Sequence, residues 1–180
     1  MKKIIGLTGS TGSGKDTFCN FVKENYQNVY CFRFSQPLSE VLGIFFNDIK
    51  KEDQQWLAIA LRERFGKDIL WQAIKKKIEN VKEGIVILNG VRMWEEYNAL
   101  KELGGQVVYA TANPKLRWER VKIRGEKKDD DVPYEKFLEM EKAATEVLIA
   151  QIGETADVKI ENDGSFEDFY AKIKEALEKI

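Results

Sequence analysis

No histidine occurs among the 180 residues. That absence removes imidazole general bases, Ser-His-Asp triads and histidine-ligated zinc together. Cysteine is nearly absent as well. Cys19 and Cys31 are the only two, which excludes a structural zinc site. Both sit in apolar segments with no pairing pattern, so free buried thiols in a reducing compartment are expected. An excess of charge of one sign is also missing. Lys and Arg total 29 against 30 Asp and Glu, a formal net charge of −1, with the two signs interspersed. No global field therefore draws the chain to nucleic acid or to an anionic membrane. There is no long hydrophobic run, and the apolar stretch from Ile4 to Thr8 is far too short for a signal peptide core or a membrane span. A cytoplasmic protein is the expectation. The remaining chemistry belongs to Lys, Arg, Asp, Glu, Ser, Thr, the backbone, or a hard cation such as Mg²⁺.

What is present reads as one globular domain. Hydrophobic residues make up 43% and charged residues 33%, ordinary for a soluble fold with room for a core. No repeat, low-complexity tract or linker divides the chain. "KKIIGLT" (2–8) is a short apolar run entering a glycine-rich turn, a buried strand. Residues 15–26 carry Phe18, Phe21, Val22 and Tyr26 at helical spacing. "VYCFRF" (29–34) is β-branched and aromatic, a second strand. Helices are expected over "LSEVLGIFF" (38–46), 53–65 and 68–82. "GIVILNG" (84–90) is the clearest buried strand, followed by a helix from about Met93 to Leu103 and a strand over 106–111. Asn113-Pro114 suits an N-cap followed by proline at the first helical position, and that helix ends near Gly125. The charged stretch 126–133 reads as exposed. A further helix is expected over 134–151, then a strand in "DVKIE", then a final helix opened by Ser165 and Asp168 in capping-box spacing. Strands alternating with helices predict a parallel α/β sheet.

One stretch carries explicit chemistry. "GLTGSTGSGKDTF" (6–18) follows the phosphate-loop pattern G-x-x-x-x-G-K-[ST] at Gly9, Gly14 and Lys15, then places Asp16 where a hydroxyl belongs and Thr17 one position late. Polyphosphate needs many donors close together. Gly9, Gly12 and Gly14 allow backbone N–H groups to turn inward, Thr11 and Ser13 lie between them, and the following helix points its positive end at the same spot. Lys15 adds a cation for the β- and γ-phosphates. Asp16 has three readings: a first-turn acid favoured by the helix dipole, a repulsive group that weakens the site, or a Mg²⁺ ligand of the hard-oxygen kind. In the last case the site binds nucleotide poorly without the metal. Thr17 offers a further hydroxyl to phosphate.

"GSGKDT" resembles the loop of P-loop deoxynucleoside and nucleoside monophosphate kinases, where Asp is usual at this place. "FSQPLSEVL", "LRERFGKDILWQAI", "VILNGVRMWEEYNAL" and "TADVKIENDGSFEDF" are similar to later segments of that group in the same order. The last is also similar to dephospho-CoA kinases. The resemblance spans nearly the whole chain. It implies a P-loop NTPase three-layer sandwich with a five-stranded parallel sheet, a helical substrate-side insertion over about 37–82 and a short lid over about 124–134. It implies ATP and Mg²⁺ as cofactors and small nucleotides as partners, with no nucleic acid or membrane, in a monomer or homodimer.

The arginines then take expected roles. Arg117, Arg120 and Arg124 fall at i, i+3 and i+7 on one helical face. A solvated basic face is the plain alternative. Ahead of the charged stretch they look like lid arginines that close over phosphates, with Arg120 and Arg124 favoured. Arg62 and Arg64, two apart, cannot share a helix face; one is expected to hold the acceptor phosphate and the other to be structural, and the resemblance favours Arg62. Arg92, after the third strand, is placed on the same group by analogy. Asn89 stands where a strand-end Asp usually holds Mg²⁺ through water, and it brings no charge. Asn162 and Gly164 line the donor adenine by resemblance. Phe34, Ser35, Trp56, Trp71 and Trp94 are candidates for stacking on a base, though core packing is commoner for such aromatics. A hydroxyl acceptor gains from a carboxylate base, and dephospho-CoA kinases, which the chain resembles at both ends, carry an Asp just after the second strand. "RFSQPLSE" has no Asp there, which favours an acceptor that is already anionic. Three readings stay open: a nucleoside or deoxynucleoside monophosphate kinase, a dephospho-CoA-type or other small-molecule kinase, and a nucleotide-binding regulatory protein with little turnover.

Overall fold

A computed structural model describes residues 2–125, 131–142 and 144–180. Its elements are β1 (Lys2–Thr8), α1 (Lys15–Asn25), β2 (Val29–Arg33), α2 (Gln36–Leu42), α3 (Lys51–Phe65), α4 (Ile69–Glu79), β3 (Gly84–Asn89), α5 (Trp94–Glu102), β4 (Gln106–Thr111), α6 (Pro114–Arg124), α7 (Tyr134–Met140), α8 (Ala144–Glu154), β5 (Val158–Glu161) and α9 (Phe166–Lys179). The five strands form one sheet in the order β2-β3-β1-β4-β5, and every neighbouring pair is parallel.

The period-two alternation of the strands separates two cores. In β1, Ile5 and Leu7 face one layer and Ile4 the other. In β3, Ile87 opposes Val86 and Leu88, and in β4, Val108 opposes Val107. The first layer is closed by Phe18, Phe21 and Val22 of α1 and Phe169, Ile173 and Leu177 of α9. The second is closed by Trp71, Ile74 and Ile78 of α4, Leu100 of α5 and Ile152 of α8. Phe18 and Phe169 are essentially inaccessible, and truncating either to Ala would cost about 3–5 kcal/mol. Gly6 is a point of close approach: a Cβ there would stand 2.6 Å from a Leu100 methyl. The small residue lets α5 seat on β1.

The helix starts follow their local sequences. The Asn113 side chain accepts from the Lys115 amide ahead of Pro114. Ser165 and Asp168 form a reciprocal capping box on α9. Two expectations are corrected. The helix read over 38–46 stops at Leu42, and the Ile44, Phe45 and Phe46 that follow are well exposed. The insertion α2–α4 closes a small core of its own on Leu38, Ala58 and Leu70, and the Ile44, Phe45 and Phe46 side chains lie outside it. The single helix read over 134–151 is two, α7 and α8, and Glu141, the residue after α7, turns instead to an arginine of α6.

The sheet order defines the crevice. From β1 the chain goes to one edge at β2, returns through β3, and then passes β1 to reach β4. Such a reversal opens a cleft at the carboxyl ends of the strands. The loop 9–14, the Gly90–Met93 connection and the end of β2 all lie at that edge.

Candidate functional site

The loop between β1 and α1 is held from three sides. A Cβ on Gly9 would stand 2.2 Å from the Ala110 carbonyl oxygen, one on Gly12 would stand 2.6 Å from that of Arg117, and one on Gly14 would stand 2.4 Å from the Asn162 amide nitrogen. The loop is thus wedged between β4, α6 and the end of β5. Gly12 and Gly14 also have φ of +80° and +102°, which side-chain-bearing residues rarely adopt. Gly14 is the N-cap of α1 and contributes no side chain to cap it, so the first-turn amides point at the loop. The Lys15 ammonium lies across this turn, donating to the carbonyls of Gly9 at 2.6 Å and Ser10 at 2.9 Å. Ser13 Oγ is buried inside the loop without a hydrogen-bond partner. A buried hydroxyl left unpaired is costly, and an anion in the loop would satisfy it. Thr11 and Thr17 are half-buried beside it.

Asp16 and Asn89 come together although 73 residues separate them. The Asn89 amide donates to Asp16 Oδ1 at 2.7 Å. The same oxygen accepts from Arg33 Nη2 at 2.8 Å. Sequence reasoning passed over Arg33. Its one legible signal was its position as the last residue of a strand whose carboxyl end opens on the crevice. Among the described residues, no cluster of three or more Asp, Glu, Cys or His forms a metal cage. Mg²⁺ characteristically takes one or two protein oxygens and fills its octahedron with water and phosphate. Asp16, with the Asn89 side-chain oxygen beside it, fits that limited donor set.

The arginines of α6 divide. Arg117 is buried and fully engaged. Its Nε donates to the Ala112 carbonyl at 2.9 Å and its Nη1 to the Thr11 carbonyl at 3.3 Å, and it grips Glu141 through both terminal nitrogens. It braces the loop against α6 and α7. Arg120, three residues further along, has a buried Nη1 without a hydrogen-bond partner among the described residues. Arg124 closes the helix and is half-buried. The lid expected over 124–134 includes 126–130, outside the described residues. Asp131 approaches Lys122 at 3.7 Å, and the Trp118 indole donates to the Val132 carbonyl at 2.7 Å, tying 131–132 back to α6.

On the other side of the crevice, Thr8 Oγ1 donates to the Val91 carbonyl at 2.8 Å, and the Gly90 and Val91 amides donate to the Leu7 carbonyl. These bonds pin the connection carrying Arg92 beside the loop. Arg62 of α3 reaches Glu96 of α5 at 4.0 Å. Arg64 is exposed on a different side of α3. Glu96 is the α5 capping-box acid and accepts from the Arg92 and Met93 amides. Burial pushes its carboxyl up to about 7, against the opposing pull of those amides and of Arg62 and Arg92.

The other candidates divide between packing and solvent. Phe34 and Trp71 are buried and stacked at 6.4 Å, and Trp94 meets Tyr97 edge-on at 5.3 Å. Trp56 is exposed. Asn162 is buried and donates to the Ser13 carbonyl at 3.0 Å, so its amide is engaged with the loop backbone. Gly164 lies exposed in the turn before α9, against the Asp168 side chain. The two thiols are free but adjacent, with Cys31 Sγ 4.0 Å from the Cys19 carbonyl. Their shared hydrogen bond and burial push the Cys19 thiol up, and the same bond lowers that of Cys31.

Residues 5–146 match the profile of an AAA domain family, and a UPF0200 protein of Sulfurisphaera tokodaii is 33% identical over 99% of this chain and 97% of its own. The chain belongs to the UPF0200 family. Among solved structures, TT1252 from Thermus thermophilus superimposes with a TM-score of 0.66 at 19% identity, covering 99% of this chain and 98% of its own. A shikimate kinase from Bacteroides thetaiotaomicron gives 0.60 at 15% identity, covering 98% and 96%. At these identities the likeness is one of fold. The UPF0200 chain has the P-loop kinase-like fold, a five-stranded parallel sheet flanked by helices.

Proposed function

We propose that this UPF0200 protein transfers a phosphoryl group from ATP to a nucleoside or deoxynucleoside monophosphate. The observation that carries the reading is the loop. Three glycines let the loop backbone seat against β4, α6 and the end of β5, where any Cβ would collide, and Lys15 already holds a cation over the turn. The chain's residues bind and orient the donor. Loop amides and Lys15 take the β- and γ-phosphates, Ser13 Oγ gains the partner it lacks, and Arg120 and Arg124 offer positive charge where the transferred group develops negative charge. Asp16 and Asn89 would hold Mg²⁺, which would supply positive charge to offset that of the phosphates.

An anionic acceptor suits the opposite wall. The end of β2 presents Arg33 where a hydroxyl-activating carboxylate would serve, and Arg62 and Arg92 supply further cations at the crevice. A phosphate oxygen needs no general base, whereas an alcohol gains from one. Phosphoryl transfer from γ-labelled Mg-ATP to all ribo- and deoxyribonucleoside monophosphates, dephospho-CoA and several hydroxy acids tests the reading. Labelled nucleoside diphosphate is the expected product. Transfer only to an alcohol overturns the acceptor class. ATP binding with no transfer to any acceptor supports a regulatory nucleotide-binding role instead.

A further inference from the structure

Arg33 ends β2 and pairs in register with Asn89 at the end of β3. Both donate to Asp16 Oδ1, so three separate elements converge on one carboxylate oxygen. Asp16 follows Lys15 directly, which puts that oxygen at the phosphate end of the loop. A carboxylate oxygen has two lone-pair sites, and both are occupied. The two donors differ in how firmly they are held. Asn89 is only 7% exposed. The Arg33 and Asp16 side chains are 61% and 55% exposed, and an ion pair so open to solvent is weakly held.

We infer that Arg33 is the resident counter-ion of Asp16 and changes partner when Mg-nucleotide binds. The inference rests on the nucleotide reading of the loop. A bare Asp16 would repel phosphate, and the guanidinium cancels that repulsion before any metal arrives. Mg²⁺ bound to Oδ1 would take the lone pair that Arg33 uses, and Mg²⁺ bound to Oδ2 would set two cations side by side. Either way the exposed arginine leaves and the buried asparagine stays. A released guanidinium at the crevice is a planar fork suited to phosphate oxygens. On this inference Arg33 supplies part of the charge that Mg²⁺ would otherwise have to bring, so nucleotide without metal binds better than a bare Asp16 would allow.

The test is calorimetric titration of ATP into the parent chain, Arg33→Gln and Arg33→Lys, each in MgCl₂ and in EDTA, with thermal melts to verify folding. The quantity read is the ratio of the Kd in EDTA to the Kd in MgCl₂. That ratio is expected to rise on the order of tenfold in Arg33→Gln and to stay near the parent value in Arg33→Lys. A folded Arg33→Gln with the parental ratio overturns the exchange, while ATP binding by the parent leaves the loop assignment standing. A parent that binds no ATP under either condition overturns both.

Discussion

Two arginine–carboxylate pairs flank the phosphate loop, and they are built for opposite ends. On the α6 side, Arg117 and Glu141 have side chains only 7% and 22% exposed. The guanidinium is fixed by two backbone carbonyls as well as by the acid. On the β2 side, Arg33 and Asp16 are more than half exposed, and the carboxylate alone holds that guanidinium among the described residues. The same chemical pair is a brace where water is excluded and an exchangeable contact where water enters. Burial, more than partner identity, decides which role an ion pair can play.

The comparison breaks most visibly at its buried end. Arg117→Ala leaves Glu141 and the Thr11 carbonyl without their partner and should cost about 3–5 kcal/mol, read as a fall in the urea midpoint at unchanged slope. Lys15→Ala separates binding from folding: ATP affinity should drop on the order of a hundredfold, close to 3 kcal/mol, while the melting curve stays put. Loss of the melting transition would instead make Lys15 a structural residue.

Glu96 sharpens the contrast through pH. Its folded pKa of about 7 lies above the ordinary 4.5. Between those values the folded chain keeps a proton that the unfolded chain gives up. Its contribution is therefore fully present below pH 4.5 and is lost as pH rises through 7, a decline on the order of 3 kcal/mol. Glu96→Gln keeps an acceptor for the Arg92 and Met93 amides and should flatten that limb of the stability–pH curve. An unaltered slope would assign it to other groups. Asn162→Ala should cost about 1–3 kcal/mol by leaving the Ser13 carbonyl unpaired, with ATP affinity falling in parallel. The smallest effect belongs to the open pair. Arg33→Ala should change stability by no more than about 1 kcal/mol, so that its consequences appear in metal dependence alone.

How much could be read in advance varied with sequence distance. The loop, the Asn113-Pro114 start of α6 and the Ser165–Asp168 box of α9 are local patterns, and each forms where the chain pattern placed it. The arginines were legible as a set but not in their division of labour. Helical spacing put Arg117 and Arg120 on one face, yet only the packing of α7 and the loop engages the first and leaves Nη1 of the second without a hydrogen-bond partner among the described residues. Arg33 escaped notice because a lone strand-end arginine carries no pattern of its own. The run 134–151 keeps helical periodicity throughout, yet it forms two helices, and Glu141 after the first of them pairs with a residue 24 positions earlier.

The chain by itself determined the alternation of strands and helices, the glycine loop with its lysine, and the exclusion of histidine chemistry, because these depend on backbone preferences and side-chain periodicity over a few residues. Tertiary structure alone decided that Asp16, Arg33 and Asn89 share one oxygen, that Arg117 is a brace, that Asn162 supports the loop and that Glu96 is buried beside Arg62. Those contacts join segments far apart in sequence, and burial and charge pairing exist only once the sheet has brought its carboxyl ends to one edge.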